Sequence, residues 1–380
     1  MIDGAKPRKC VFLHCPELDE GGYPEVSPFS TKRAGMARKT AMSMGLLSGA
    51  DVLEDEPVRL TRDELETFHA SRYLDAVKAA EDGELTPEAF LMGLGTPDCP
   101  VFKGMYDYVS LAAGGTLTGA RLILSGEARI TFNPSGGFHH AGPDKASGFC
   151  YMNDVVIAIM ELAAAGKRVL FLDIDAHHGD GVQDAFYERN DVMTVSLHES
   201  GKTLFPGTGS EGDIGAGPGK GFTVNVPLPA GTRDDLYRDA FEKTALPLMG
   251  AYEPDIVVVE IGMDGLSGDP LAHLQLTNNV HADILESLLA FGRPILATGG
   301  GGYDVDNTVR GWALAWSVLS GGEDHGAIGM GGVMLENTDW FGGLRDRTLS
   351  QDYPGREAAE AEVAQVVERL KATVFAVHGL

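Results

Sequence analysis

The chain has 380 residues, of which 55 are acidic and 30 are basic, so its formal net charge is −25. Apolar residues make up 43% and charged residues 22%, which is ordinary for a globular protein and excludes disorder as the dominant state. An acidic surface repels phosphates, so we expect no nucleic-acid partner, whereas a cationic peptide or amine would be attracted. The sequence has no run of 18 apolar residues and no signal-peptide pattern, so we expect no membrane partner.

The four cysteines, at positions 10, 15, 99 and 150, form no CxxC pair and show no regular spacing. We therefore expect reduced thiols in a cytoplasmic protein. Glycine is unusually frequent, with 50 residues, about twice its usual share of ~7%. Short glycine runs follow apolar stretches, which is typical of tight turns and close approaches of the backbone.

Short apolar runs alternate with helix-like stretches along the chain. Five runs read as strands buried on both faces: 128–134, 167–175, 191–198, 254–262 and 293–300. Three stretches between them read as helices: 153–165, 233–252 and 278–291. The alternation predicts an α/β fold, one domain over 1–380 with a central, mostly parallel sheet and helices on both faces. A C-terminal helix over about 355–378 is expected to dock on the body or to form an oligomer contact; the oligomeric state stays open.

Each predicted strand ends in polar residues or glycines of the kind that bind ligands. Sites in open parallel sheets form just beyond the carboxyl ends of the strands, so these ends are expected to converge on one site. Asp175 and His177 follow one strand with the spacing that turns both side chains to the same side, and Asp264 ends another strand. One histidine and two carboxylates predict a catalytic zinc site with an open position. The alternative is an N-cap aspartate followed by a buried histidine.

His139 and His140 form a rare adjacent pair, and Asp173 and Asp180 are available to orient their rings. A carboxylate on the far ring nitrogen fixes the tautomer, so two such pairs could give one base and one electrostatic or acidic partner. Tyr303 follows a run of four glycines, which predicts a hydroxyl donor to an oxyanion. The alternative for each histidine is a hydrogen-bonded structural role, which we favour for His178 and His198. The alternative for Tyr303 is a half-buried tyrosine without a catalytic role.

Together these residues resemble the zinc-dependent histone deacetylase family, which has the arginase/deacetylase fold. The resemblance runs from about Pro28 to Trp316, within a catalytic core of about 28–320. It rests on five motifs: GGFHHAGPDKASGFCYMND, DIDAHHGDGVQDAFY, FPGTG, GLSGDPLAHLQLT and GGGGYDVDNTVRGW. Their spacing and the DPL sequence are most similar to the class I branch and its bacterial relatives, including acetoin-utilisation proteins.

The resemblance implies a role for each polar residue of the expected site. Three residues match the metal ligands: Asp175, His177 and Asp264. The remaining catalytic positions are His140 as general base, His139 as its electrostatic partner, Asp173 and Asp180 as the carboxylates behind the two rings, and Tyr303 as the group that polarises the acyl carbonyl. The implied cofactor is one Zn²⁺ per chain, for which Fe²⁺ or Co²⁺ could substitute.

Further positions match the substrate-binding and potassium-binding residues of the family. The substrate-binding set comprises the tunnel walls Gly148, Phe149 and Phe205, the rim carboxylate Asp98, Leu271 at the mouth, Arg33 near the inner cavity, and Gly301. The resemblance also implies a structural K⁺ site formed by Asp173, Asp175, His177, Ser196 and Leu197. A second K⁺ site would lie near Phe186, Arg189, Val192 and Phe222.

These features predict metal-dependent hydrolysis of an N-acyl amide, above all deacetylation of Nε-acetyl-lysine in a protein or peptide. The alternatives are deacetylation of small acetylated amines or polyamines, a binuclear arginase-like enzyme, and a non-catalytic binder of acyl-lysine. A second metal would lack ligands because Gly179 and Gly262 stand where arginase-like enzymes carry extra carboxylates. Two residues depart from the class I pattern: Phe138 replaces the usual leucine, and Glu260 replaces the usual glutamine and adds negative charge near the site.

Overall fold

The computed structural model describes residues 9–322 and 343–380. Within them, eight strands form one sheet in the order β2-β1-β3-β8-β7-β4-β5-β6. The strands are β1 Cys10–Leu13, β2 Val52–Asp55, β3 Ile130–Asn133, β4 Val169–Asp173, β5 Val192–Glu199, β6 Thr223–Leu228, β7 Ile256–Glu260 and β8 Ile295–Thr298. All neighbouring pairs are parallel, so the predicted α/β fold is confirmed.

Three of these strands are not predicted from the sequence, and all three lie toward the sheet edges. The edge strand β2 exposes most of its residues, so it lacks the apolar run on which the prediction depends. The other edge strand, β6, contains Asn225 and Pro227, and β1 has only four residues. Proline is tolerated at an edge because it removes a ladder donor that an edge strand can spare.

Helices cover both faces of the sheet. They are α1 Glu17–Glu20, α2 Arg33–Ser43, α3 Arg62–Leu65, α4 Ser71–Glu81, α5 Pro87–Leu91, α6 Met105–Ser125, α7 Asp154–Ala164, α8 Asp180–Phe186, α9 Asp234–Lys243, α10 Ala245–Tyr252, α11 Asn278–Phe291, α12 Val305–Leu319, α13 Arg356–Leu370 and α14 Ala376–His378. A π-helical turn, Lys371–Phe375, joins the last two. The single helix predicted over 233–252 is wrong: it breaks at Thr244, because Pro247 has no N–H to donate and its ring would clash with a carbonyl one turn earlier.

The alternation of buried side chains along β4 shows why the sheet needs cover on both faces. Leu170 and Leu172 belong to a core shared with α9–α13, whereas Val169 and Phe171 pack with α6, α7 and α8. The C-terminal helix α13 lies against β6 and α9 with a buried apolar stripe that includes Val363 and Leu370. No helix among the described residues has the length and apolarity needed to cross a bilayer.

Candidate active site

The candidate site lies at the carboxyl ends of four adjacent strands, β3, β8, β7 and β4. The loop after β3 carries the histidine pair, and the loop after β4 carries Asp175 and His177. Asp264 follows β7, and Tyr303 follows β8. Because these strands are parallel neighbours, their loops leave the same edge of the sheet, and residues 164 positions apart in sequence meet in one place.

The predicted metal-binding residues form one buried group. The Nδ1 atom of His177 lies 2.8 Å from Oδ2 of Asp264 and 3.2 Å from Oδ1 of Asp175. One ligand atom from each residue falls within 4.8 Å of the others. Backbone N–H groups orient both carboxylates: Ala176 donates to Asp264 at 2.9 Å, and Gly301 donates to Asp175 at 2.7 Å. One imidazole and two carboxylates suit a divalent ion such as zinc that keeps an open position.

Two glycines leave the space that these carboxylates occupy. A Cβ atom at Gly301 would lie 1.9 Å from Oδ2 of Asp264, and one at Gly262 would lie 2.0 Å from Oδ2 of Asp175. Gly301 is predicted to bind substrate. In the structure its N–H donates to the carboxylate of Asp175, and its lack of a side chain leaves room for the carboxylate of Asp264. No larger residue fits at either position without displacing a predicted ligand.

The histidine pair is held by two separate carboxylates, as the sequence predicts. His139 Nδ1 lies 3.0 Å from Oδ2 of Asp173, and His140 Nδ1 lies 2.7 Å from Oδ1 of Asp180. The two Nε2 atoms face each other at 3.0 Å. Burial and the charge of His139 lower the pKa of His140 to about 4, so its ring is neutral at pH 7. Burial opposes charge on His139 as well, but nearby carboxylates raise its pKa well above the usual value.

Glu260 is the second carboxyl group behind His139. Its Oε1 lies 3.0 Å from His139 Nδ1, and its side chain is fully buried. Neither oxygen makes a hydrogen bond of good geometry, and burial raises the pKa of Glu260 well above its usual value. Glu260, one of the two residues that depart from the class I pattern, therefore contacts the ring of His139 and contributes to its raised pKa. The sequence places Glu260 near the site but gives no orientation for its side chain.

Two aromatic rings pack against His140 and Tyr303. The ring centroid of Phe205 lies 5.0 Å from that of His140, and the centroid of Phe149 lies 5.5 Å from that of Tyr303. A Cβ atom at Gly148 would lie 2.4 Å from the ring of His140, so this position requires glycine. These contacts bring together the three predicted tunnel residues and the predicted oxyanion donor. Asp98 is exposed and Leu271 is half-buried.

Comparison with known proteins agrees with this geometry. The sequence model of the histone deacetylase domain matches residues 27–319. The chain belongs to the histone deacetylase family. It is 38% identical over 316 residues to histone deacetylase RPD3 of Saccharomyces cerevisiae, covering 82% of this chain and 72% of that protein. It is 39% identical over 322 residues to the acetoin utilization protein AcuC of Bacillus subtilis, covering 83% of each.

A solved structure extends the agreement to the fold. The crystal structure of a histone deacetylase homologue from Aquifex aeolicus superposes with a TM-score of 0.84 at 29% identity, covering 96% of this chain and all of that one. The chain is therefore a deacetylase of a zinc-dependent family of hydrolases, and the predictions of family, fold and enzyme class are confirmed.

Arg33 of the deacetylase binds the backbone of the glycine run that precedes Tyr303. Its guanidinium donates to the carbonyl oxygens of Gly300, at 3.2 Å, and Gly302. The side chain is buried, and burial lowers its pKa from the usual value. The family resemblance implies an arginine near the inner cavity; the contacts of Arg33 here are with the backbone that leads to Tyr303.

Asn153 and Asp154 also support the site, although the sequence predicts a role in it for neither residue. Asn153 Nδ2 donates to the carbonyls of His139 at 3.2 Å and Ala141 at 3.0 Å, while its Oδ1 caps α7. Asp154 accepts the N–H groups of Gly137 and Phe138. An asparagine at the first position of the predicted helix 153–165 is an N-cap signal. Nothing local in the sequence showed that the same amide also fixes the histidine loop.

The predicted potassium residues and the two structural histidines lie around β5. Ser196 Oγ is 2.8 Å from His198 Nδ1, and the carbonyl of Leu197 accepts the hydroxyl of Tyr237 at 3.1 Å. The second set lies where β5 begins. The carbonyl of Phe186 accepts the N–H of Arg189, and the carbonyl of Phe222 accepts the N–H of Thr194, beside Val192.

The two histidines for which a structural role is favoured hold the loop of Phe205. His178 forms a hydrogen bond with the hydroxyl of Thr208 at 2.8 Å, and His198 forms one with the carbonyl of Gly209 at 3.0 Å.

Metal binding to this site should release a proton and strengthen as pH rises. Burial opposes charge on His177, but Asp264 and Asp175 outweigh it and raise its pKa to about 10 in the metal-free protein. A metal ligand must be the neutral ring, so the proton leaves on binding. Between pH 7.5 and 9 we expect about one proton released per Zn²⁺ and about a tenfold gain in affinity per pH unit. Calorimetry in buffers of different ionisation enthalpy measures both.

The variant His178→Gln is the matched control for this titration. Burial lowers the pKa of His178 to about 4, so its ring is already neutral at pH 7.5, and its replacement should leave the number of released protons unchanged. Zinc binding with no proton release, or with equal affinity at pH 7.5 and 9, would contradict the charged state of His177 in the metal-free protein.

Proposed function

We propose that this deacetylase hydrolyses the Nε-acetyl amide of lysine in a protein or peptide and releases acetate and the free amine. One observation carries the proposal: the neutral His140 and the hydroxyl-bearing Tyr303 both lie beside His177 of the buried metal group, and the rings of Phe205 and Phe149 pack against them. The aromatic lining suits an extended apolar lysine stem. The net charge of −25 favours a cationic peptide around the acetylated residue.

The protein's own side chains divide the proton transfers of amide hydrolysis. His140, neutral at pH 7 and oriented by Asp180, accepts the proton of the attacking water. The positive His139 lies against it and stabilises the negative charge that develops. Burial and the charges of Asp264 and Asp175 raise the pKa of Tyr303, so its hydroxyl stays protonated and donates to the acyl oxygen. The leaving amine then takes a proton from the histidine pair.

The cofactor of this proposal is one divalent ion, Zn²⁺ by preference, with Fe²⁺ or Co²⁺ as substitutes, held by Asp175, His177 and Asp264. When bound, it supplies Lewis-acid polarisation of the acyl carbonyl and lowers the pKa of water. The proposal also includes structural K⁺ at the two sites around β5. A cytoplasmic location belongs to the proposal as well, because all four cysteines are buried thiols outside disulfide bonds.

Leu271 at the proposed tunnel mouth should make the enzyme prefer an acetyl-lysine peptide over acetylspermidine or acetylputrescine. An apolar wall removes water from the ammonium groups of a polyamine without supplying a countercharge. We expect a higher kcat/KM for the peptide in wild type, and Leu271→Glu should shift the ratio toward the polyamine, mainly through KM. Initial rates of acetate release from the three substrates measure the ratio and test the proposed activity directly.

The variant Leu271→Gln is the matched control, because it has nearly the shape of glutamate without its charge. It should leave the substrate ratio close to that of wild type. A wild-type preference for acetylpolyamine of roughly tenfold or more, about 1.4 kcal/mol, would instead favour the small-amine alternative. Binding of the peptide without any turnover would identify the chain as a non-catalytic acyl-lysine binder.

A further inference from the structure

The carboxylate of Asp269 joins two segments of the site that lie on different loops. Its Oδ2 accepts the backbone N–H of Tyr303 at 2.8 Å. Its Oδ1 accepts the N–H groups of Leu271 at 2.9 Å and Ala272 at 3.3 Å. One half-buried side chain therefore connects the loop after β7, which carries the proposed tunnel mouth, to the residue proposed as oxyanion donor.

The backbone before Tyr303 needs such an anchor because it consists of four glycines. Gly300 and Gly302 adopt φ values of +143° and +131°, which side-chain-bearing residues rarely adopt. Arg33 fixes the carbonyls of these two glycines, and Asp175 fixes the N–H of Gly301. Asp269 accepts the N–H of Tyr303 itself, two residues after Gly301. The position of the Tyr303 hydroxyl therefore depends on this backbone hydrogen bond and on the packing of the tyrosine ring against Phe149.

We infer that Asp269 is a positioning residue for catalysis: it holds the backbone of Tyr303 in register with the tunnel-mouth loop, so that the tyrosine hydroxyl meets the acyl oxygen of a substrate seated at Leu271. The inference rests on the proposed function of Tyr303. An oxyanion donor is effective only within about 2.7–3.1 Å of the developing charge, so a small displacement of the loop costs rate and leaves ground-state binding almost intact.

The test is a double-mutant cycle on the full-length, zinc-loaded enzyme with an acetyl-lysine peptide. Asp269→Asn keeps the size of the side chain but turns one acceptor into an amide that faces a backbone N–H. We expect kcat to fall about tenfold and KM to stay within about twofold. Tyr303→Phe should lower kcat by roughly 10²–10³-fold, the usual effect of losing one oxyanion donor. In the Tyr303→Phe background, Asp269→Asn should lower kcat less than about twofold, because the donor that it positions is gone.

Two further variants separate positioning from loss of stability. Asp234→Asn is the matched control: Asp234 also ties two segments together, through the N–H of Thr277 at 2.7 Å, and is assigned no role in the site. It should lower the melting temperature and leave kcat per folded chain unchanged. Asp269→Glu keeps the charge and both acceptor oxygens but lengthens the stem by one methylene group. We expect this variant to fold as wild type does and to have a lower kcat at a nearly unchanged KM. If Asp269→Asn folds poorly, Asp269→Glu still tests the inference.

The outcomes distinguish this inference from the proposed function. Wild-type kcat in Tyr303→Phe overturns the role of Tyr303 and the inference with it. A rate loss in Tyr303→Phe, combined with fully additive effects in the double variant, overturns only the inference. So does a change confined to KM in Asp269→Asn and Asp269→Glu. A kcat loss in the Asp269 variants that disappears in the Tyr303→Phe background supports the inference.

Discussion

Replacing His140 with alanine should lower kcat by roughly 10²–10⁴-fold, the span that general acid–base catalysis contributes. The reason is that His140 is the neutral ring of the pair: its pKa falls to about 4, whereas the pKa of His139 rises because two carboxyl groups face its Nδ1. The variant removes the proton acceptor and no metal ligand, so its zinc content should equal that of wild type. Steady-state rates of peptide hydrolysis, normalised to bound zinc, measure the effect.

Asp180→Asn gives the graded comparison for this prediction. It retains the ring of His140 and removes only the charge 2.7 Å from its Nδ1. A ring without its carboxylate is a weaker base with a less certain tautomer, so the loss should be smaller than in His140→Ala. Added imidazole should restore part of the activity of His140→Ala and none of that of Asp180→Asn. An equal or larger loss in Asp180→Asn would contradict the assignment of the base to His140.

The sequence predicted the strand ends well, because each lies where an apolar run meets histidines, aspartates or glycines. The five predicted strands buried on both faces all appear in the structure. Four of them are shorter than predicted, because residues at their ends leave the ladder. The exception is β5, which has the predicted length but lies one residue further along the chain, at Val192–Glu199. The missed β2 and β6 are edge strands, where exposure removes the apolar signal. The break at Thr244 is missed for a different reason: the pattern over 233–252 is otherwise helical, and only Pro247 interrupts it.

The residue types of the site followed from the motifs, but the contacts that position them did not. Nothing in the local pattern connects Asp269 with Tyr303, which lies 34 positions away, or Arg33 with the glycine run. The same holds for Glu260, whose negative charge was visible in the sequence and whose contact with His139 was not. These contacts depend on which loops the parallel sheet brings together, and that order is a property of the whole fold.

Removing the metal with a chelator should abolish hydrolysis, and one equivalent of Zn²⁺, Co²⁺ or Fe²⁺ per chain should restore it. The three residues of the metal group supply one nitrogen and two carboxylates, a set for a single ion. A binuclear arginase-like site needs further carboxylates, and two glycines occupy their places. A Cβ atom at Gly179 would lie 2.4 Å from Oδ2 of Asp173, and one at Gly262 would lie 2.0 Å from Oδ2 of Asp175, so neither position could take a carboxylate without moving a site residue.

Titration of the chelated enzyme with each metal, followed by elemental analysis of the active fraction, measures the stoichiometry. Asp264→Asn should weaken binding and remove activity, because the amide offers an uncharged oxygen in place of a carboxylate 2.8 Å from His177. Asp234→Asn, a buried aspartate outside the metal group, should still bind one ion with wild-type affinity. Activity that rises only with a second equivalent of transition metal would contradict the mononuclear site. Full activity in the chelated enzyme would contradict the requirement for a metal. We do not expect this outcome, because His140, with a pKa of about 4, is too weak a base to activate ordinary water unaided.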